Sequence, residues 1–338
     1  MRNILPLQKP FVTTYSYSTH VLSISADHKC FWEWFYSQHV QLMSTITPGN
    51  VILIEFCPHP FILPSPLLQS WKIPRFLIQQ LKDSADIFSF VKQMLDQGYY
   101  MVLQIDEYGI PAFENYHKQH KLHPILIYGY DETEGLYIQD FFSFRKYSSA
   151  VITRSELIQA FDLQHISSFK DENGIALMQL NPNASFILDL RQFSNLIGDY
   201  LQSKNTLQAS SLGITYPRRK FGFNIYSDLD HAFDLLLENQ QVYTLTRALH
   251  ILSEHKKVWH ASCSYLMSHS RIGENDDLLK RLKELHQDAL IIRNLFLKYE
   301  ITGQKQLIVS TKRKLSELAA KEQQAIHTYQ EVVNAAIP

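Results

Sequence analysis

His123-Pro-Ile-Leu-Ile-Tyr-Gly-Tyr-Asp131, followed by Leu136-Tyr-Ile-Gln-Asp-Phe-Phe142, is the stretch on which the fold turns. Its first part reads as a strand, with an imidazole at the start and then the run Ile125, Leu126, Ile127 and Tyr128. Gly129, Asp131 and Gly135 supply turn chemistry, and the second part reads as the returning strand with Asp140 near its end. A short antiparallel hairpin brings the start of one strand opposite the end of the next, so His123 and Asp140 are expected as cross-strand neighbours. A carboxylate beside an imidazole fixes the tautomer and stabilises the imidazolium, which is the base-and-orienter half of a nucleophilic triad. A buried histidine and a surface aspartate in an ordinary hairpin is the competing reading.

Working outward, Asp86–Gln97 reads as a helix closed by Gly98, and Tyr99–Ile105 as a strand. Val51–Phe56 is a short buried strand, and Cys57–Pro74, with five prolines, an irregular loop. Residues 1–25 carry Thr13, Thr14, Tyr15, Tyr17 and Val21 and read as strand and loop, after which Asp27 caps a first helix from Phe31 to Met43. Beyond the hairpin come a strand near Arg145–Tyr147, a capping box Thr153-Arg-Ser-Glu156 opening a helix to Phe161, and a strand Ile175–Leu180. Residues 1–180 therefore read as an α+β domain. Residues 181–227 form a mixed connecting region with a basic loop, Tyr216–Gly222. Residues 228–338 read as a helical domain, with helices over 228–240, 242–269, 275–300 and 305–335 punctuated by Gly273 and Gly303. Leu278, Leu282 and Leu285 set the helical period there.

Composition narrows the class. A 45% hydrophobic content supports a sizeable core, and 32 Lys+Arg against 33 Asp+Glu argues against a nucleic-acid partner held by bulk charge. Arg2, Pro6 and Lys9 interrupt the N-terminal stretch, so no signal peptide is expected, and no window approaches the roughly 18 apolar residues of a membrane span. Three scattered cysteines without a CxxC fit a reducing cytoplasm better than a disulfide framework, and do not suggest zinc. No cofactor is expected.

For a nucleophile, a thiol at a helix start is favoured as thiolate by the helix dipole and a neighbouring imidazolium. Cys30, three residues after Asp27, holds that position and precedes His123 and Asp140. Cys57 ends a strand before Pro58, and Cys263 lies mid-helix, so both read as core thiols. His117, His120 and His123 lie at three-residue spacing, which alone does not make a metal site. Asp106 and Glu107, near a strand end, read as paired acids or as solvated ones. Arg218, Arg219 and Lys220 suit a phosphate or an acidic partner surface, or simply a solvated loop.

The segment Gly98–Tyr108 with His123–Asp131 and Tyr137-Ile-Gln-Asp140 resembles the N-terminal domain of the butirosin biosynthesis protein H family, over roughly residues 10–165. The resemblance implies a papain-like fold and a Cys-dependent acyltransferase or amide synthetase with Cys30, His123 and Asp140 as catalytic residues. It implies a carrier protein bearing a phosphopantetheine thioester as acyl donor and a small-molecule amine as acceptor, in secondary-metabolite biosynthesis. Bulky Phe31 and Trp32 follow Cys30, and no Gln lies between Thr14 and Lys29 to build the oxyanion hole used by peptidase relatives. Backbone N–H groups, Ser23, Ser25 or His28 would have to serve. Those departures keep a second reading open, an inactive papain-like scaffold of a biosynthetic assembly. A cysteine peptidase or amidase is the third.

Overall fold

A computed structural model describes the chain except residues 58–64, 76, 78–86, 144–145, 164–165, 167–173 and 207–217. In chain order the described elements are β1 (Arg2–Ile4), α1 (Ser16–Ser25), α2 (Phe31–Gln38), β2 (Gln41–Ile46), β3 (Ile52–Cys57), β4 (Leu68–Ile73), α3 (Ile87–Asp96), β5 (Tyr100–Asp106), β6 (Leu122–Asp131) and β7 (Gly135–Phe141). There follow β8 (Tyr147–Ile152), α4 (Arg154–Phe161), β9 (Ile175–Leu180), α5 (Leu190–Leu201), β10 (Lys220–Phe221), α6 (Ile225–Leu237), α7 (Leu245–Ser268), α8 (Asp276–Thr302) and α9 (Lys305–Ala335). The chain divides into two compact units, Met1–Phe31 with Pro64–Ser185, and Trp32–Leu63 with Phe186–Pro338. The first unit ends at Ser185. Residues 32–63, assigned from sequence to the first domain, belong to the second unit.

The first unit is an antiparallel sheet in the order β4-β9-β5-β6-β7-β8, with β1 on β6 beyond the point where β5 ends. Strand alternation splits the apolar residues between its two faces. Met101, Leu103, Ile105, Ile125 and Ile127 pack with Val91 and Leu95 of α3 and Leu157 of α4. Tyr100, Leu126 and Met178 pack with Ile24 of α1. Gly129 follows a register shift between β6 and β7, and a Cβ there would meet the Asn3 carbonyl oxygen at 2.8 Å, so only glycine admits β1. The expected capping box opens α4: Thr153 accepts from the Glu156 N–H and Glu156 from the Thr153 N–H.

Two local expectations are overturned. Ser16–Ser25 is a helix rather than extended chain. Its Tyr17, Thr19, Val21 and Ile24 carry strand propensity, but Thr19, His20, Leu22, Ser23 and Ile24 are all buried, so tertiary packing overrides local preference. The helix expected over Phe31–Met43 stops at Gln38, because Gln41–Ile46 pairs in full register with β3. Part of the expected Pro-rich loop lies outside the described residues, and Leu68–Ile73 within it is a strand paired with β9.

The second unit combines a three-stranded sheet, β10-β2-β3, with helices. From Ile225 onward its long elements are α6 to α9, and α5 was not foreseen from sequence. Among the described residues, no helix is long and apolar enough to cross a membrane.

Candidate functional site

The site is assembled in the first unit by α1, the end of β5, the start of β6 and the end of β7. His123 is the second residue of β6 and Asp140 the sixth of β7. The hairpin brings them together, with Nε2 of His123 3.2 Å from Oδ1 of Asp140. On the other side of the ring, Nδ1 lies 3.2 Å from Oε1 of Glu107, just beyond the end of β5. Glu107 is further held by the Lys121 ammonium at 2.9 Å and by the Asn115 amide. Phe113 packs against the imidazole at 5.3 Å between centroids.

Ser16, the first residue of α1, completes the group. Its hydroxyl donates to Oδ1 of Asp140 at 3.0 Å and lies 3.4 Å from Nε2 of His123. Tyr15, the residue before α1, makes no side-chain hydrogen bond to the helix's first turn. Tyr15 and Tyr17, on either side of Ser16 in the chain, stack at 5.4 Å.

Asp140 is fully buried and acts as the hub. Its second oxygen faces Nε2 of His20 at 3.5 Å, a long contact that leaves both atoms without a closer partner. Nδ1 of His20 lies 2.8 Å from the Tyr147 hydroxyl, whose other neighbour, Ser23, is at 3.4 Å. With Tyr147 donating to the nearer acceptor, the ring hydrogen of His20 sits on Nε2 and points at Asp140. This tautomer is assigned from the hydrogen-bond network.

Electrostatics follow from that packing. Burial opposes charge on His123, but the hydrogen bonds and charges of Asp140 and Glu107 outweigh it and raise its pKa to about 9. Burial likewise opposes ionisation of Asp140, and His123 and His20 reverse this, holding the carboxyl well below the usual range. Glu107 is lowered in the same sense, with His123, Lys121 and Asn115 overcoming its desolvation. The resting state is an imidazolium whose two N–H groups each face a carboxylate.

Cys30 is not part of this group. It is half-buried just before α2, and its backbone N–H donates to Nδ1 of His28 at 3.1 Å. Among the described residues no hydrogen bond or ion pair joins it to His123 or Asp140. Asp27, expected as a helix cap, instead accepts from Gln8 at 3.3 Å. Cys57 and Cys263 are buried, and burial raises both thiols to about 12. Ser23 donates to the His20 carbonyl and Ser25 to the Val21 carbonyl, while His28 contacts the Asn181 carbonyl, so these three groups are engaged away from the hairpin. The three evenly spaced histidines have separate surroundings: His117 stacks on Tyr116, His120 pairs with Asp106, and His123 lies in the site. Among the described residues no group of His, Cys, Asp and Glu is placed to hold a metal ion.

Sequence reasoning missed Ser16, Glu107, His20 and Tyr147. Tyr15, at the N-cap of α1, makes no side-chain cap hydrogen bond, so the opening Ser16-Tyr-Ser-Thr-His20 carries no helix-start signal.

Residues 51–140 match the family model described as butirosin biosynthesis protein H, N-terminal. The resemblance drawn from residues 98–142 is borne out there, and over residues 51–140 the chain is similar to that family. The matched span includes Glu107, His123 and Asp140, and excludes Ser16 and Cys30. No curated protein matches the chain.

Proposed function

We propose that the first unit is an acyltransferase of biosynthetic metabolism, moving an acyl group from a carrier-bound thioester to an amine, with Ser16 in the role that the resemblance gives to Cys30. The family match supports a biosynthetic, acyltransferase-like role. One observation carries the residue assignment: Ser16 Oγ faces Nε2 of His123 while Nδ1 faces Glu107, the nucleophile–base–orienter order of acyl transfer. The hub on Asp140 and the position of the nucleophile at a helix start are compatible with the papain-like architecture that the resemblance implies.

In this mechanism His123, part of whose side chain is exposed, first loses its Nε2 proton to solvent. The Ser16 hydroxyl then turns from Asp140 to the ring, gives Nε2 its proton and attacks the thioester carbonyl. The Oγ–C bond forms and the C–S bond breaks, with the proton passing from His123 to the departing thiolate. Amine attack on the acyl-serine forms the amide, and the proton shed by the amine returns through His123 to Ser16. The positive end of the α1 dipole, beside Ser16, is suited to receive the developing oxyanion. Because the imidazolium persists to about pH 9, the rate is expected to climb as pH rises toward that value.

The same raised pKa favours a second reading, a binding subunit without transfer chemistry, since an imidazolium takes no proton from a hydroxyl. Incubation with an acylated carrier protein at pH 7 and pH 9, followed by intact-mass measurement, separates the cases. The proposal expects an acyl adduct that is stronger at pH 9, lost in Ser16→Ala and retained in Cys30→Ala. An adduct lost only in Cys30→Ala restores the thiol, and no adduct under any condition favours the binding subunit.

A further inference from the structure

We propose that the second unit carries an anion-binding cleft for a phosphate group, built around Arg218. The cleft, of about 600 Å³, lies where the β2–β3 turn meets the chain entering β10 and the exposed side of α6. Thr47, Asn50, Arg218, Arg219, Asp228 and His231 provide its polar lining.

Charge accounting within the cleft leaves one cation over. Arg219 is committed to Glu55 at 2.6 Å. Asp228 is neutralised by Lys220 at 2.6 Å and accepts from the Ser44 hydroxyl at 2.7 Å. Asn50 donates to Gln240 and to the Gln241 carbonyl. Among the described residues, neither the Arg218 guanidinium nor the His231 imidazole has a partner, and both residues are exposed and line the cleft. Thr47 Oγ1 accepts from the Val51 N–H, which leaves its hydroxyl hydrogen to donate.

Backbone conformation gives a second indication. Arg218 has φ 66°, a left-handed conformation that a long side chain rarely adopts, and its carbonyl is pinned by Thr45 Oγ1 at 3.2 Å. Strain of this kind persists where surrounding structure holds the backbone in a set conformation. Asn50, across the cleft, is also left-handed at φ 56°.

The donor set selects the ligand class. A guanidinium fork, an imidazole N–H and a hydroxyl approach from three elements, which suits a tetrahedral oxyanion with three terminal oxygens better than a planar carboxylate with two. The inference does not depend on acyl transfer in the first unit, because its test reads binding alone.

Titration calorimetry of the full chain with inorganic phosphate, 4′-phosphopantetheine and acetate, at fixed ionic strength, decides it. Saturable phosphate binding is expected, weakened at least about tenfold in Arg218→Ala, as for loss of a charged hydrogen-bond donor. Arg218→Lys should lie between, and His231→Ala should weaken binding several-fold. Thermal unfolding of each variant verifies that it is folded. Tighter binding of phosphopantetheine than of phosphate points to a carrier's prosthetic group, and equal binding to a free phosphate; both support the site. No saturable phosphate binding, unchanged binding in Arg218→Ala, or acetate binding as tightly as phosphate would overturn it.

Discussion

Each unit buries a polar network around a carboxylate, and the two networks are wired to opposite ends. In the first unit, Asp140 collects His123, His20 and Ser16, and the His123 side chain keeps 21% of its surface exposed. In the second, Glu322 accepts from Lys256, from the Tyr200 hydroxyl at 2.9 Å and from the Tyr226 hydroxyl, with both Lys256 and Glu322 completely inaccessible. There the neighbouring His255 donates from Nε2 to the Val40 carbonyl at 2.8 Å and accepts from Lys256 at Nδ1. A carbonyl only accepts and an ammonium only donates, so His255 is locked as a neutral ring. Burial and the adjacent ammonium push its pKa well below the ordinary value. The first network thus holds a histidine charged at the solvent boundary, and the second holds one neutral in the interior. The same residue types yield a candidate reactive site or a structural brace according to access and to the donors on either side of the ring.

The largest expected break is in the brace. Lys256→Met strands the Glu322 carboxylate and should cost about 3–5 kcal/mol in chemical denaturation, whereas the double variant with Glu322→Met should recover most of it. Equal losses in single and double variants would mean that the pair itself, rather than an abandoned charge, supplies the stability.

Acid should loosen the second unit next. Burial lowers His39 to about 4 although the Phe35 carbonyl partly opposes this, and burial also holds His255 well below the ordinary value. An imidazole whose folded pKa lies below its unfolded value contributes stability that is complete above about pH 6.5 and is lost as pH falls toward 4. His39 alone accounts for roughly 3 kcal/mol by pH 4, and urea midpoints measured between pH 7 and 4 should show the decline. A flat profile across that range would contradict neutral burial.

His123 behaves with the opposite sign. Its folded pKa is raised to about 9, so its contribution is complete below about pH 6.5 and is lost as pH rises through 9. Asp140→Asn should move the imidazole titration, followed by NMR, downward from about 9, with Glu107 still holding part of the shift. An unmoved titration would show that Glu107 alone sets the charge.

The smallest effect sharpens the wiring of the first network. Tyr147→Phe removes the hydroxyl from Nδ1 of His20 and should cost about 1 kcal/mol. It should also free His20 to shift its ring hydrogen away from Asp140, visible as a change in the His20 nitrogen shifts. Unchanged shifts would reject the assigned tautomer.

The hairpin was legible because its signals are local. The unbroken apolar run Ile125 to Tyr128 marks β6, Asp131 and Gly135 bound its turn, and strand geometry then carries His123 toward Asp140. The long helices α7 to α9 were legible for the same reason, since apolar residues recurring at helical spacing need no knowledge of the partner they pack on. Glu107 lay in plain view at a strand end but looked solvated, because the Lys121 and Asn115 groups that bury it come from 14 and 8 residues downstream.

Sequence by itself determined the α+β character of the first unit, the helical C-terminal region, the family resemblance over the hairpin and the pairing of His123 with Asp140. All of these rest on patterns spanning neighbouring residues or one tight turn. Only the tertiary structure decided that Ser16, rather than Cys30, faces His123, and that residues 32–63 join the second unit. Ser16 meets Asp140 across 124 residues of chain, and the helix that presents it forms because its faces are buried, against the preference of its own side chains. Contacts of that range leave no periodicity to read, since they are selected by the packing of the whole unit.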